Sequence, residues 1–453
     1  MRNVLAFTVS LALVGCAINT PMRSPQIAPP AAWNEAAAPG APVVAPDWWK
    51  SFDSSELQAL VDEALAGSPD LAIATERVRQ AEAQVRAAGA SLFPSLDLGF
   101  SSRASRSDGA SSESSSASLS ASYEVDLWGR NSAGVRAAQA DLRATAYDRD
   151  TARITLVAGV ANAYFEVLSL RGRLALARDN LTIAERVMAL VQARARSGAA
   201  SPLDVARQEA AVLSQRAGLL PLEQLERQTL AALAVLAGRL PEGFEVKATG
   251  LADLAVPSIS PGLPADLLAR RPDLAAAEAG LVAANADVAA ARAALLPSIQ
   301  LTGSAGIASG ALLAFLNAPV TTAAIAASVL QPIFDGGRLR AGVTIAESRE
   351  RELLETYRKA ILAAFADVEN VLAAADRLAQ REALQAQVQE RAREALRLAE
   401  VRYREGADDL LTVLDAQRTL FSADDQLAQV RQERLEAAVA LYRALGGGWK
   451  ATA

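Results

Sequence analysis

Two kinds of periodicity divide this chain. Most of it repeats apolar residues at helical spacing, but four short segments alternate apolar and polar residues, one of them (117–127) strictly. Leu96, Leu98 and Phe100 alternate with Asp97, Gly99 and Ser101. Ala117, Leu119, Ala121, Tyr123, Val125 and Leu127 then alternate with Ser118, Ser120, Ser122, Glu124 and Asp126. Such a period of two gives a strand one apolar and one polar face, and this run matches the ~9–11 residues of a tilted membrane strand. A Ser-rich turn over about 102–116 is expected between the two segments. In the second half, Ile299, Leu301, Gly303, Ala305 and Ile307 alternate with Gln300, Thr302, Ser304 and Gly306. After a loop around Gly310–Pro319, a weaker return strand is carried by Ile325, Ala327, Val329, Gln331 and Ile333. The pattern predicts one hairpin per half, about 95–128 and 298–334, and four strands in all.

The remainder reads as helix, and it reads as the same helices twice. Ser68-Pro69-Asp70-Leu71-Ala72 opens an Ala-rich helix that stops before Pro94, and Arg271-Pro272-Asp273-Leu274-Ala275 opens another that stops before Pro297. Proline disfavours helical backbone in the residue before it, so both helices end there. The two proline pairs stand 203 positions apart (69 to 272, 94 to 297). Gly129-Arg130 is echoed by Gly337-Arg338, and Arg194-x-x-x-Gly198 by Arg402-x-x-x-Gly406. Proline-free runs from about Asn131 to Ala195 and Leu339 to Arg404 predict long helices, ~100 Å each at 1.5 Å per residue. Each ends at a Gly-containing turn and returns in a helix, about 202–237 and 409–445, with a kink expected at Pro221. A unit this long is a duplicated half-protein, not a solenoid repeat of 20–50 residues.

These signals divide the chain into a signal segment (1–15), an extended Pro/Ala-rich tether (16–46), a short helical segment (47–68) and a first repeat (69–238). A linker (239–271), a second repeat (272–446) and a tail (447–453) follow. Arg2, the apolar run Val4–Val14 and Gly15-Cys16 read as a secretory signal, too short to span a bilayer as a helix. Leu13-Val14-Gly15-Cys16 resembles a lipobox, which implies acylation of Cys16, the only cysteine in the chain. Ala17 is not Asp, and in enteric-type sorting that resemblance implies delivery to the outer membrane.

Composition narrows the chemistry. The net charge of −6 is interspersed with no basic block, which argues against nucleic acid as a partner. With no histidine and one cysteine, zinc and copper ligand clusters are not expected. No phosphate loop or nucleophile elbow is present, so no enzyme activity, metal or cofactor is expected beyond the lipid on Cys16. After residue 16 no long apolar run escapes charged or polar breaks, so a membrane crossing is expected by strands. Four strands cannot close a barrel, because open edges in lipid leave backbone groups unpaired. Two copies would give eight strands, a barrel filled by side chains; three would give twelve and room for a pore.

Tyr123-Glu124-Val125-Asp126-Leu127-Trp128-Gly129-Arg130 resembles the strand-to-helix signature of TolC-like outer membrane factors. Asp47-Trp48-Trp49-Lys50-Ser51-Phe52, Leu267 to Leu274, Gln331 to Arg338, Arg402-Tyr403-Arg404-Glu405-Gly406 and Leu414-Asp415-Ala416-Gln417-Arg418 are similar to the NodT/OprM lipoprotein branch. The resemblance spans about 45 to 450. It implies a mainly α fold with a small β part: a homotrimer with a 12-stranded β-barrel in the outer membrane on a 12-helix periplasmic tunnel. It further implies a passive exit duct for drugs or other small toxic compounds. The partners would be a periplasmic adaptor and an inner-membrane resistance-nodulation-division transporter. Protein export with an ATP-driven partner and metal-ion efflux are the alternatives. Carried over residue by residue, the family pattern implies adaptor docking at Gly198, Arg402, Arg404 and Gly406, and a periplasmic gate at Leu411 and Asp415 with Arg418 as counter-charge. The first turn matches the pattern less closely after Val205, where Ala206-Arg207-Gln208 stands, so the two tips need not be equivalent.

Overall fold

The structure is a computed structural model that describes residues 21–35, 44–107, 110–310 and 320–450. The signal segment and Cys16 lie outside the described residues. In chain order, a 3-10 turn at Trp48–Phe52 leads to α1 (Ser55–Gly67), α2 (Pro69–Ala90), β1 (Ser95–Ser107), β2 (Ala110–Val125), α3 (Arg130–Arg196) and α4 (Pro202–Leu236). A single helical turn α5 (Leu267–Arg270) then precedes α6 (Pro272–Ala293), β3 (Ser298–Ser309), β4 (Val320–Leu330), α7 (Arg338–Arg404) and α8 (Leu410–Ala444).

In the helices of the two repeats the duplication holds to the residue. Both opening helices, α2 and α6, have 22 residues. Both long helices, α3 and α7, have 67. Both return helices, α4 and α8, have 35. Glycines with positive φ recur in step: Gly129 with Gly337, Gly198 with Gly406, Gly238 with Gly446. α4 runs through Pro221 as one helix, although proline offers no N–H to the carbonyl one turn back.

The described residues fall into two compact units. One contains Thr75–Tyr147 and Leu274–Ala360, with the described chain up to Ile27. Its centre is a four-stranded antiparallel sheet in the order β1-β2-β3-β4, so β1 and β4 are edges. Register places Leu98 opposite Leu119 and Phe100 opposite Ala117. β3 continues this face with Leu301 opposite Tyr123 and Ile307 opposite Ala117. The apolar face is uncovered in the protomer: Leu98 is 81% exposed and Ile325 95%.

Within the expected Ser-rich turn over 102–116, residues 102–107 and 110–116 are strand instead, paired from Ser102↔Ser115 outward. Serine carries no hydrophobic period, but its hydroxyls bond across the ladder: Ser101 to Ser116 at 2.9 Å, Ser102 to Ser115 at 3.0 Å and Ser105 to Ser112 at 2.8 Å. Conversely β4 ends at Leu330, so Gln331 and Ile333 lie beyond the strand they were expected to extend. Pro332 follows directly and lacks the N–H a ladder needs. Carboxylates cap both strand-to-helix junctions. Asp126 accepts from the Asn131 and Ser132 amides (2.9 and 2.8 Å), and Asp335 from those of Gly337 and Leu339 (3.0 and 2.9 Å).

The second unit comprises Ala28–Ala74, Asp148–Asp273 and the chain from Ile361 onward. Its core gathers the Trp48–Phe52 turn against α3 and α8: Trp48 stacks on Tyr442 at 4.8 Å and Phe52 meets Phe165 at 5.0 Å. Gly238 and Gly446 end their helices against backbone: a Cβ on Gly238 would fall 2.2 Å from the Gly67 carbonyl oxygen, and one on Gly446 1.9 Å from that of Arg270. By length and composition α3 and α6 each hold a stretch apolar enough to cross a membrane, but 67% and 50% of those stretches is buried within the protein.

Candidate functional site

The two helix-to-helix turns are built alike. After α3, the Gly198 amide donates to Ala195 (3.0 Å) and the Ala199 amide to Arg194 (2.8 Å). After α7, the Gly406 amide donates to Tyr403 (3.1 Å) and the Ala407 amide to Arg402 (2.8 Å). Both are Schellman-type ends, which satisfy the last carbonyls and need a left-handed residue; φ is +78° at Gly198 and +76° at Gly406. Beyond the glycine and its chain neighbours, no heavy atom lies within 4 Å of a Cβ placed at Gly198 or Gly406, so both positions face open space.

Their chemistry differs. Arg194 donates to the Tyr403 carbonyl, and its guanidinium lies 4.5 Å from the Tyr403 ring centroid, so the first tip is tied to the second. Its repeat partner Arg402 turns to its own loop and grips Asp408 with two hydrogen bonds, 2.6 and 3.0 Å. That pairing holds the Asp408 carboxyl below the usual carboxylate range. Arg404 and Gly406 are exposed. The first tip starts α4 with a capping box. The Ser201 hydroxyl accepts from the Asp204 amide at 3.2 Å, and the Asp204 carboxylate accepts from the Ser201 amide at 2.8 Å. These bonds to Ser201, backbone first, lower the Asp204 carboxyl as well. The second tip starts α8 with Asp409, which accepts from the Thr412 amide at 3.1 Å.

Leu411, Asp415 and Arg418 lie together on the exposed face of α8, just past the second tip. Leu411 is 51% exposed. Arg418 approaches Asp415 on its own helix to 3.8 Å, with both side chains about four-fifths exposed (81% and 79%). The opposite face of α8 is core: Leu410, Val413 and Leu420 pack with Val187, Val191, Leu396 and Tyr403. α8 is thus amphipathic, with one face fixed and the other carrying an apolar and a charged group outward.

Comparison with known proteins gives this geometry its family. The profile of the outer membrane efflux protein family matches residues 60–239 and 263–447, breaking at the linker between the repeats. The chain belongs to the outer membrane efflux protein family. The pyoverdine export outer membrane protein OpmQ of Pseudomonas aeruginosa is 44% identical over 464 residues, covering 99% of this chain and 98% of that protein. The cation efflux system protein CusC of Escherichia coli is 31% identical over 466 residues, 99% of each chain. Among solved structures, the open state of the Neisseria gonorrhoeae MtrE outer membrane channel superimposes with a TM-score of 0.84 at 31% identity, covering 96% of this chain and 99% of that one. This outer membrane efflux protein therefore has the barrel-and-tunnel fold of outer membrane channels, and its place is the outer membrane.

Two residues of its tips escaped the sequence reading. Tyr403 is buried and receives Arg194; Asp408 closes the second turn around Arg402. The available signal was the comparison of repeats, since Ala195 and Ala200 stand at their positions in the first half.

Proposed function

We propose that three copies of this efflux protein close into one passive duct that forms the outer membrane end of a tripartite pump. The observation that carries this is the open four-stranded sheet, with two edge strands and one uncovered apolar face. In lipid each unpaired backbone group costs several kcal/mol, and pairing β1 with the β4 of a second copy removes the edges. Three copies give twelve strands, enough for a lumen. The face opposite the apolar one carries Ser95, Ser101, Ser118, Ser120 and Ser122 with the carboxylate of Asp97, a polar wall of mostly small hydroxyls suited to passage without tight binding.

In this reading a periplasmic adaptor docks on the tips around Gly198, Arg402, Arg404 and Gly406. Leu411 and Asp415 of the three copies converge to narrow the periplasmic end, with Arg418 as counter-charge. An inner-membrane resistance-nodulation-division transporter loads the cargo, and acyl chains on Cys16 add a second hold on the membrane. Small organic molecules are the favoured cargo, because identity is 44% to a pyoverdine exporter and 31% to a cation efflux protein over the same span. The test is chemical cross-linking in intact envelopes followed by purification of the tagged chain. A trimeric band with an adaptor and a resistance-nodulation-division transporter is expected; an ATP-driven transporter in its place, or only monomer, would overturn the reading.

A further inference from the structure

Behind the exposed face of α8 a groove of about 530 Å³ separates α8 from α4, floored by α3 at Ala184. Its polar lining is donor-rich. Arg207 of α4 and Arg418 of α8 flank it, with Gln417, Gln215, Ser214 and Ser422 between them, and no carboxylate lines it. Leu414 and Phe421 supply an apolar wall.

Three observations show unspent hydrogen-bonding capacity. Gln417 is 3% exposed, yet its buried Nε2 has no hydrogen-bond partner. An amide donor left unpaired in the interior costs about 1–3 kcal/mol. The buried Gln208 donates its Nε2 to the Ala184 carbonyl at 2.8 Å, and its Oε1 acceptor is likewise left without a partner. Neither guanidinium is hydrogen-bonded to a nearby acid. Arg418 meets Asp415 only at 3.8 Å in solvent, and Arg207 acts on Asp204 through its field while that carboxylate is bonded to Ser201. Each guanidinium carries five donors and accepts nothing.

We propose that this groove is a binding site for a small organic acid. A carboxylate offers acceptor lone pairs to Arg207, Arg418 and the unpartnered Gln417 Nε2, and an apolar body of a few carbons fits Leu414 and Phe421. The groove volume falls in the ~300–1,000 Å³ range of small-molecule sites. An inorganic anion would leave the apolar wall uncovered; a neutral molecule would leave the guanidiniums unmatched. Because its two arginines stand on different helices, an occupant ties α8, the helix of Leu411 and Asp415, to α4.

The full-length protein, purified in nanodiscs, can be titrated calorimetrically with 4-phenylbutyrate and, separately, with the uncharged 4-phenylbutyramide. Saturable binding of the acid, at least tenfold tighter than the amide, is expected. Arg207→Gln and Arg418→Gln should each weaken the acid at least tenfold without altering the helical circular dichroism, since both side chains are exposed. Equal affinity for acid and amide, no saturable binding of the acid, or wild-type affinity in both variants would overturn the proposal.

Discussion

The sharpest test of tip docking uses two glycines that share a backbone conformation and differ in surroundings. Gly406 has φ +76° and Gly446 φ +85°. Any L-residue in that region costs roughly 1–2 kcal/mol. At Gly406 this is the whole cost, because a Cβ there meets nothing within 4 Å. Set against a typical folding free energy of ~5–15 kcal/mol, Gly406→Ala and Gly406→Trp should both accumulate in the outer membrane at wild-type levels. At Gly446 a Cβ would lie 1.9 Å from the Arg270 carbonyl oxygen. An ordinary carbon–oxygen approach is about 3.3 Å, so the backbone must yield by about 1.4 Å at a packed junction. Gly446→Ala should therefore lower the amount of folded protein. The assay pairs immunoblots of outer membranes with efflux rates of a fluorescent dye in cells lacking their own channel. Gly406→Ala should export close to wild type, which separates strain from bulk, and Gly406→Trp should be present but export-dead. Wild-type efflux by Gly406→Trp would refute docking at this tip, and wild-type abundance of Gly446→Ala would refute the steric argument.

Leu411→Ala combined with Asp415→Ala should raise the single-channel conductance of the purified protein in a planar bilayer; unchanged conductance would place the constriction elsewhere. Wild-type protein should incorporate labelled palmitate in cells and Cys16→Ala should not, with both found in the outer membrane; an unlabelled wild type ends the lipoprotein reading. Arg271, 12% exposed, holds Asp273 at 2.7 and 3.0 Å and donates to Asp367 and the Ala444 carbonyl. Its replacement by alanine should destabilise the fold by about 2–3 kcal/mol, read as a lower unfolding midpoint, since hydrogen bonds to charged groups are worth ~1.5–3 kcal/mol and both carboxylates keep solvent.

The helices were legible because their punctuation is stereochemical. Pro94 and Pro297 forbid continuation, and glycines at 129, 198, 337 and 406 mark left-handed turns, so boundaries fall within a few residues of expectation. The outer part of the first hairpin was not legible, because pairing of backbone and serine hydroxyls makes it strand, with no apolar period to announce it. β4 shows the converse: the alternation continues through Gln331 and Ile333 after Pro332 has removed the ladder donor. At the tips the sequence located the turns and the exposed face of α8, but not the partners. Two arginines at equivalent positions look alike in sequence, and the acceptors that separate them, Tyr403 and Asp408, lie on other residues.

That divergence bears on whether the two tips are interchangeable. The scaffold makes them so: α4 and α8 have equal length, and Leu203 and Leu411, 208 positions apart, are 56% and 51% exposed. The same offset puts Arg207 where the second half has Asp415. One turn past each tip, then, the two halves present the same leucine followed by opposite charges. The first tip also spends Asp204 on its own capping box and Arg194 on its neighbour, whereas the second leaves Glu405 exposed where the first has Ser197, beside a turn braced by Arg402 and Asp408. A partner that reads only backbone shape would meet two equal tips. One that reads charge meets a different surface at each, so exchanging Arg207 and Asp415 alters its recognition while leaving both helices intact.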